Sequence, residues 1–123
     1  AAAGIGMPPE QIFKTLVARG EKRGFLVFCI PVCCELDLKK AAKAAGDKKV
    51  ELIHVKELLP LTGYIRGGCS PIGMKKSFPT YIHSTCRLYD SIYVSAGVRG
   101  LQIRIAPDDL IRTTDASVVD LTV

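Results

Sequence analysis

The sequence is 123 residues long, enough for one domain but not for two. Apolar residues make up 48% of it and charged residues 24%, and no apolar run approaches the roughly 20 residues of a membrane-spanning helix. The net charge of +5, from 17 Lys and Arg against 12 Asp and Glu, suits a polyanionic partner such as nucleic acid, although a solvated cationic surface is the simpler explanation.

The cysteines and the first residues favour a cytoplasmic protein. Five cysteines are present, an odd number, and none forms a Cys-x-x-Cys pair, which disfavours a disulfide scaffold or a structural zinc site. The first ten residues, A-A-A-G-I-G-M-P-P-E, lack the basic segment of a signal peptide. We predict reduced thiols in a cytoplasmic protein, with no metal and no cofactor.

The first part of the chain predicts two strands and a helix. Proline is tolerated at a helix start, so Pro8-Pro9-Glu10 predicts a helical turn. Residues 12–17 are rich in β-branched and aromatic types and predict a strand, and the almost continuously apolar residues 25–32 predict a buried strand. Asp37 suits a helix N-cap and Gly46 a C-cap. The helix between them has one apolar face, formed by Leu38, Ala41, Ala42 and Ala45.

The remaining predicted elements are short. They are a strand at 50–53, a helix at 55–59 that stops before Pro60, strands at 64–66, 79–82, 91–95 and 101–105, and a helix from Pro107. The tail after Thr113 gives weak signals, although Val118, Val119 and Leu121 could dock on the core. Strands outnumber helices, which indicates an α/β or α+β fold.

A glycine-rich segment at residues 67–77, G-G-C-S-P-I-G-M-K-K-S, has nearly the spacing of a phosphate-binding P-loop. Gly68 and Gly73 occupy the two glycine positions, but Met74 stands where the lysine is needed and Lys75 comes one position late. Pro71 also removes one backbone N–H from the phosphate cradle. Nucleotide hydrolysis is therefore disfavoured.

A cysteine nucleophile stays open. Cys69 or Cys86 could pair with His83 or His54, but nothing local marks either thiol as activated. A thiol near its reference pKa of about 8.5 is mostly protonated at neutral pH. Small core residues are the favoured interpretation of Cys29 and of the Cys33-Cys34 pair.

Five segments occur in the order found in one enzyme family. They are I-F-K-T-L-V (residues 12–17), P-V-C-C-E-L-D-L-K-K-A-A-K-A-A-G (31–46), K-K-V-E-L (48–52), T-G-Y-I-R-G-G-C-S-P-I-G-M-K-K (62–76) and I-Y-V-S-A-G-V-R-G-L (92–101). On these segments the chain resembles the YbaK/EbsC family of aminoacyl-tRNA deacylases, which share their fold with the editing domain of bacterial prolyl-tRNA synthetases. The resemblance implies one compact domain over residues 1–123, with a mixed, mostly antiparallel sheet or barrel and flanking helices.

The resemblance also implies a site. Lys14 matches the family's functional lysine, and residues 67–71 match its G-x-x-x-P loop. The residues with an implied catalytic role are Lys14, Gly67, Gly68, Ser70 and Pro71. Those with an implied role in binding the substrate are Cys69, Gly73, Ser95, Gly97 and Arg99, and Lys75 and Lys76 are the implied RNA contacts. A surface lysine at a strand start and an ordinary turn serine are the alternatives for Lys14 and Ser70.

The implied activity is hydrolysis, in trans, of the aminoacyl ester of mischarged Cys-tRNA(Pro), with the thiol of the substrate attacking the ester carbonyl. Backbone N–H groups of the loop would stabilise the charged intermediate, and the lysine would bind the terminal phosphate or ribose. The implied partners are the 3′ end of tRNA(Pro) and prolyl-tRNA synthetase, without a membrane, and the oligomeric state is open. A deacylase for Ala or Ser, or a non-catalytic tRNA- or synthetase-binding module, stays an alternative.

The chain departs from the family pattern at several places. It begins near the end of the family's usual N-terminal segment, so we expect the site residues of that segment to be missing. Cys69 replaces the usual Ile of the loop and could narrow the pocket, compete as a nucleophile or do nothing. Ala96 and Val98 replace a glycine and a lysine, which removes one potential phosphate contact. The Cys33-Cys34 pair stands where the family usually has small residues.

Overall fold

The computed structural model describes residues 6–123, so the predictions that concern residues 1–5 lie outside the described residues. Short 3-10 turns at Pro9–Gln11 and Ser84–Leu88 accompany ten regular elements. In chain order these are β1 (Phe13–Gly20), β2 (Gly24–Pro31), α1 (Leu38–Ala45), β3 (Val50–Leu52), α2 (Val55–Thr62), β4 (Thr80–His83), β5 (Ile92–Ser95), β6 (Gln102–Ile105), α3 (Pro107–Thr114) and β7 (Ser117–Val119). None of the helices in this range has the length and apolar character that a membrane crossing requires.

Five strands form one mixed sheet in the order β3-β1-β2-β4-β7, and β5 pairs with β6 in a separate hairpin. β1 is antiparallel to β2 and β3, whereas β4 is parallel to β2 and β7. An isolated parallel bridge between Ile12 and Tyr93 joins the hairpin to the start of β1. The predicted mixed sheet with flanking helices is confirmed. The alternative of a barrel is wrong for residues 6–123, because the edge strands β3 and β7 of the five-stranded sheet are not paired with each other and the sheet does not close.

Local sequence determines α1 as predicted. The Asp37 carboxylate accepts hydrogen bonds from the backbone N–H groups of Lys39 and Lys40 at 2.9 and 3.1 Å. Gly46 ends the helix with a left-handed φ of 69°. Ala41, Ala42 and Ala45 are buried against the sheet, but Leu38, predicted on the same face, is 42% exposed.

Two local predictions between residues 55 and 66 are wrong. α2 continues through Pro60 to Thr62. The Thr62 hydroxyl donates to the Leu58 carbonyl at 2.8 Å and so supports the last turn, which proline deprives of one backbone hydrogen bond. Residues 64–66 form no strand, because Gly63 turns the chain with a φ of 87° and the Tyr64 N–H then bonds the Thr62 hydroxyl at 3.0 Å.

The core lies on both faces of the sheet. On one face, which we call the loop-side core, the buried residues include Phe13, Val17, Cys29, Cys69, Ile82 and Cys86. On the other face, the helix-side core, Leu26, Phe28 and Ile30 pack against the alanines of α1. The predicted docking of the tail is confirmed, since β7 extends the sheet beside β4 and Leu121 is buried in the helix-side core.

Candidate active site: the glycine loop and its supports

The glycine loop, residues 67–71, begins in a tight turn. Gly67 has a left-handed φ of 83°, and the Gly68 N–H donates to the Ile65 carbonyl at 3.0 Å. A turn with positive φ at its third residue favours glycine there, because glycine has no Cβ to clash. Gly67 is exposed, whereas the following Gly68, Cys69, Ser70 and Pro71 are buried.

The loop packs against the turn that joins β5 to β6. A Cβ at Gly68 would lie 3.2 Å from the backbone of Val98 and Arg99, so a larger residue would push the two segments apart. The Arg99 Nε donates to the Arg66 carbonyl at 2.8 Å, which ties the same two segments together. The structure therefore brings Arg99 to the glycine loop, whereas Gly97 faces the ring of Tyr64.

The hydrogen bonds of the loop decide which of its N–H groups can bind a ligand. The Gly68 N–H is used in the turn, Pro71 has none, and the Ile72 N–H bonds the Ser70 hydroxyl at 3.2 Å. Within residues 6–123, the N–H groups of Cys69 and Ser70 donate to no backbone or side-chain acceptor. These two groups are the donors that the buried part of the loop can offer to an oxyanion.

Lys14 lies on β1 opposite Ile30 and is half-buried. Because side chains alternate along strands, the bridge between Ile12 and Tyr93 puts Lys14 and Ser95 on the same face, two residues further along each strand. On β1 this is the face of the helix-side core, because Leu16, Ala18 and Ile30 belong to that core, whereas Cys69 of the loop belongs to the loop-side core. Within residues 6–123, no hydrogen bond or salt bridge joins Lys14 to the glycine loop itself.

Ser95 lies opposite Gln102 on the same hairpin, and its hydroxyl accepts the Gly97 N–H at 3.2 Å. The Oε1 atom of Gln102 is buried and has no hydrogen-bond partner among residues 6–123. A buried unpaired acceptor is costly and rare, so it is a candidate ligand contact. The sequence prediction missed this residue, because the alternation of residues 101–105 indicates only that Gln102 lies on the polar side of a strand.

The cysteines around the loop are held in their protonated form. Burial raises the pKa of Cys69 to about 11, against the opposing effect of a hydrogen bond with Thr62. Burial also raises the pKa of Cys29 to about 12 and raises the pKa of Cys86. Cys69 therefore acts as a small core residue that contacts Thr62, and a role as competing nucleophile is disfavoured. The core interpretation is confirmed for Cys29 but wrong for Cys33, which is exposed.

The two histidines make hydrogen bonds that stabilise the fold, and in residues 6–123 neither one hydrogen-bonds a cysteine thiol. The buried His83 accepts the Leu121 N–H on Nδ1 at 3.0 Å, and its Nε2 lies 3.3 Å from the Thr122 hydroxyl. His54 precedes α2, where its N–H bonds the Glu57 carboxylate at 3.0 Å. The Cys/His pair left open from the sequence is not formed by these contacts.

The predicted RNA-binding lysines lie a few residues after the glycine loop. Lys75 and Lys76 are exposed, and the Lys75 N–H bonds the Thr62 carbonyl at 3.1 Å. A recess of about 150 Å³ lies beside this segment and is lined by Pro71, Gly73, Lys76, Phe78, Thr113 and Thr114. In the part of the chain that the structure describes, no cluster of three or more His, Cys, Asp and Glu could hold a metal ion.

Comparisons with known proteins identify the family of the chain. The family described as the aminoacyl-tRNA editing domain matches residues 1–113. The chain is 53% identical over 121 residues to an Enterococcus faecalis protein provisionally named as a Cys-tRNA(Pro)/Cys-tRNA(Cys) deacylase, EbsC, covering 98% of this chain and 74% of that protein. It is 26% identical to the uncharacterized protein YwhH of Bacillus subtilis, covering 89% and 69%.

A solved structure gives the same result. A crystal structure provisionally described as a trans-editing enzyme for prolyl-tRNA synthetase matches with a TM-score of 0.89 and 31% identity, over 99% of this chain and 76% of that one. The chain belongs to the aminoacyl-tRNA editing family. The predicted resemblance is confirmed, and so is the predicted enzyme class, an aminoacyl-tRNA deacylase that acts on a tRNA substrate.

Proposed function

We propose that this deacylase hydrolyses the ester that joins cysteine to the 3′ end of mischarged tRNA(Pro), and that the thiol of the substrate supplies the nucleophile. The relative with 53% identity carries a name that includes this substrate. The observation that supports this mechanism is the protonation state of the chain's own thiols beside the loop. Cys69 has a pKa of about 11, so at neutral pH it offers almost no thiolate.

In the proposed reaction the thiolate of the bound cysteine attacks its own ester carbonyl. The carbonyl oxygen becomes an oxyanion, and the bond to the ribose oxygen then breaks. The ribose oxygen takes up a proton and leaves as the free tRNA 3′ end. The acyl group leaves as a cyclic thioester, which water opens to cysteine.

The loop and Lys14 have separate roles in this proposal. The N–H groups of Cys69 and Ser70, which have no other acceptor in residues 6–123, bind the oxyanion. Lys14, on the face that it shares with Ser95, binds the terminal phosphate or ribose hydroxyl of the tRNA. Gly67, Gly68 and Pro71 shape the loop, and Lys75, Lys76 and Arg99 contact the neighbouring phosphates.

We propose that prolyl-tRNA synthetase presents the mischarged product, because a small site around the loop contacts little of the tRNA body. The solved structure with 31% identity is described in relation to that synthetase. The net charge of +5 favours a polyanion such as tRNA. Addition of the synthetase should therefore raise deacylation of Cys-tRNA(Pro) more than that of other cysteinyl-tRNAs.

The test is deacylation of Cys-tRNA(Pro), of the same substrate with its thiol alkylated, and of Ala- and Ser-charged tRNA. We expect hydrolysis of the first and almost none of the alkylated form. Lys14→Ala should lower kcat/KM about 10- to 100-fold, the range for a lost charged hydrogen bond. Lys39→Ala, an exposed lysine on α1, is the matched control.

Each outcome has one meaning. Equal hydrolysis of the alkylated and free forms contradicts thiol assistance, and faster hydrolysis of Ala- or Ser-charged tRNA changes the substrate. Binding of tRNA without ester loss would favour the non-catalytic module. Equal rates for wild type and Lys14→Ala contradict only the role of the lysine.

A further inference from the structure

Tyr64 joins three segments around the glycine loop. It follows Gly63, which ends α2, and its backbone N–H is held by the Thr62 hydroxyl at 3.0 Å. Its own hydroxyl donates to the Ile72 carbonyl at 2.5 Å, on the far side of the loop. The side chain therefore closes the loop by a contact between residues that are eight positions apart.

Two glycines make room for the Tyr64 side chain. A Cβ at Gly73 would lie 3.1 Å from the tyrosine hydroxyl oxygen, and a Cβ at Gly97 would lie 3.1 Å from the ring carbon Cε1. Gly73 belongs to the segment after the loop, and Gly97 to the turn between β5 and β6. The ring is thus wedged between the two segments that form the candidate active site.

Thr62, two residues before Tyr64, also contacts the segment that contains the glycine loop. The carbonyl of the buried Thr62 accepts the Lys75 N–H at 3.1 Å. Thr62 thus contacts the end of the segment from residue 65 to residue 75, while Tyr64 contacts Ile72. Residues at the end of α2 therefore position the segment that contains the glycine loop.

We propose that Tyr64 is a positioning residue for the deacylase, and that its hydroxyl sets the direction of the Cys69 and Ser70 N–H groups through the Ile72 carbonyl. This inference rests on the proposed function, because it assumes that those N–H groups bind the oxyanion. The tyrosine does not bind the substrate in this proposal. Small displacements of oriented groups are costly to catalysis, since misplacement by about 1 Å lowers rates about 100-fold.

The test removes only the hydroxyl. Tyr64→Phe keeps the ring between Gly73 and Gly97, and we expect kcat for Cys-tRNA(Pro) to fall about 5-fold with KM changed less than about 2-fold. Tyr89→Phe is the matched control, because Tyr89 also packs against the loop-side core and its hydroxyl makes no hydrogen bond within residues 6–123. The control should keep the wild-type kcat.

A double variant separates positioning from a general loss of stability. Gly68→Ala displaces the loop directly, so Tyr64→Phe should lower kcat further by less in that background than in wild type. Equal effects in both backgrounds would overturn the proposal. So would a Tyr64→Phe variant with wild-type kcat, or one whose loss of kcat is matched by Tyr89→Phe.

Amide hydrogen exchange distinguishes failure of this proposal from failure of the proposed function. Tyr64→Phe should speed exchange at residues 67–73 but not in α1, whether or not the wild type cleaves Cys-tRNA(Pro). An inactive wild type would contradict the proposed function. Unchanged exchange at residues 67–73 would contradict the positioning role of Tyr64 by itself.

Discussion

The helix α1 and the glycine loop show two ways in which one chain defines local geometry. α1 is determined by residues inside or next to it, because Asp37 caps its start and Gly46 ends it. The loop is held by residues outside it, since Tyr64 bonds Ile72 and Arg99 bonds Arg66. The contacts of the helix span a few residues, whereas the arginine contact joins positions 33 apart.

Substitutions in the two regions should act on different properties. A change in α1 removes a local contact and should lower stability, because α1 packs in the helix-side core, whereas Cys69 of the glycine loop packs in the loop-side core on the other face of the sheet. A change at the loop shifts the direction of backbone N–H groups and should lower the rate of the reaction.

Among the substitutions that compare α1 with the glycine loop, Gly68→Ala should have the largest effect on activity. Its Cβ would lie 3.2 Å from the backbone of Val98 and Arg99, which cannot rotate away, so the loop must move by a few tenths of an ångström. We expect kcat for Cys-tRNA(Pro) to fall about 10-fold. Gly46→Ala is the counterpart in the helix, and it should cost about 1 kcal/mol of stability without lowering kcat, because alanine there must adopt a left-handed φ.

One result would contradict the independence of α1 and the glycine loop. If Gly46→Ala lowers kcat as much as Gly68→Ala does, the helix and the loop are not independent. Deacylation rates and urea unfolding of both variants, measured under one set of conditions, decide the point.

Asp37→Ala should have a moderate effect on stability alone. It removes the acceptor of two backbone N–H groups at the start of α1, which typically costs about 1 kcal/mol. Asp37→Asn keeps a capping oxygen and should recover most of that loss. A fall in the free energy of unfolding that is equal for both variants would show that charge, and not capping, is what matters at this position.

His83→Asn should have the smallest effect on activity, and its effect on stability should depend on pH. Burial lowers the pKa of His83 below its ordinary value, Asp120 opposes this, and Lys40 adds to it. The unfolded chain therefore binds the proton first, so the stabilisation is complete above about pH 6.5 and is lost as the pH falls from there towards the folded pKa.

The asparagine side chain introduced by His83→Asn would not titrate, and its oxygen can still accept the Leu121 N–H that His83 Nδ1 accepts at 3.0 Å. The difference in unfolding free energy between wild type and variant should therefore shrink below about pH 6.5. Parallel stability curves between about pH 7 and pH 5 would contradict this account. Deacylation at about pH 7.5 should be the same for both proteins, because His83 keeps the neutral form there.

Much of the fold followed from local pattern. The strands at residues 25–32, 79–82, 91–95 and 101–105 and the helix from Pro107 were predicted close to their observed positions, because each has a continuous apolar run, alternating apolar residues or a marked start. The strand predicted at residues 64–66 failed, because Gly63 turns the chain, Tyr64 packs between Gly73 and Gly97, and Ile65 is exposed. The predicted stop before Pro60 failed because a nearby threonine supports the helix beyond the proline.

The candidate site was only partly predictable. Matching segments identified Lys14, Ser95, Gly97, Arg99 and the loop at residues 67–71, and their roles stay predictions. Gln102 was missed because nothing in an alternating strand shows that one glutamine oxygen will be buried without a partner among residues 6–123. Cys69 could be interpreted only once its burial was known, because burial is what keeps its thiol protonated.

The sequence by itself determined the family, the cap-to-cap extent of α1 and the presence of a glycine loop, because these depend on residue types at short, regular spacing. Only the tertiary structure decided how that loop is used. It showed that the Gly68 N–H closes a turn, that the N–H groups of Cys69 and Ser70 have no acceptor within residues 6–123, and that Tyr64 reaches Ile72. Hydrogen bonds between residues that only folding brings together determine these directions, and no spacing along the chain encodes them.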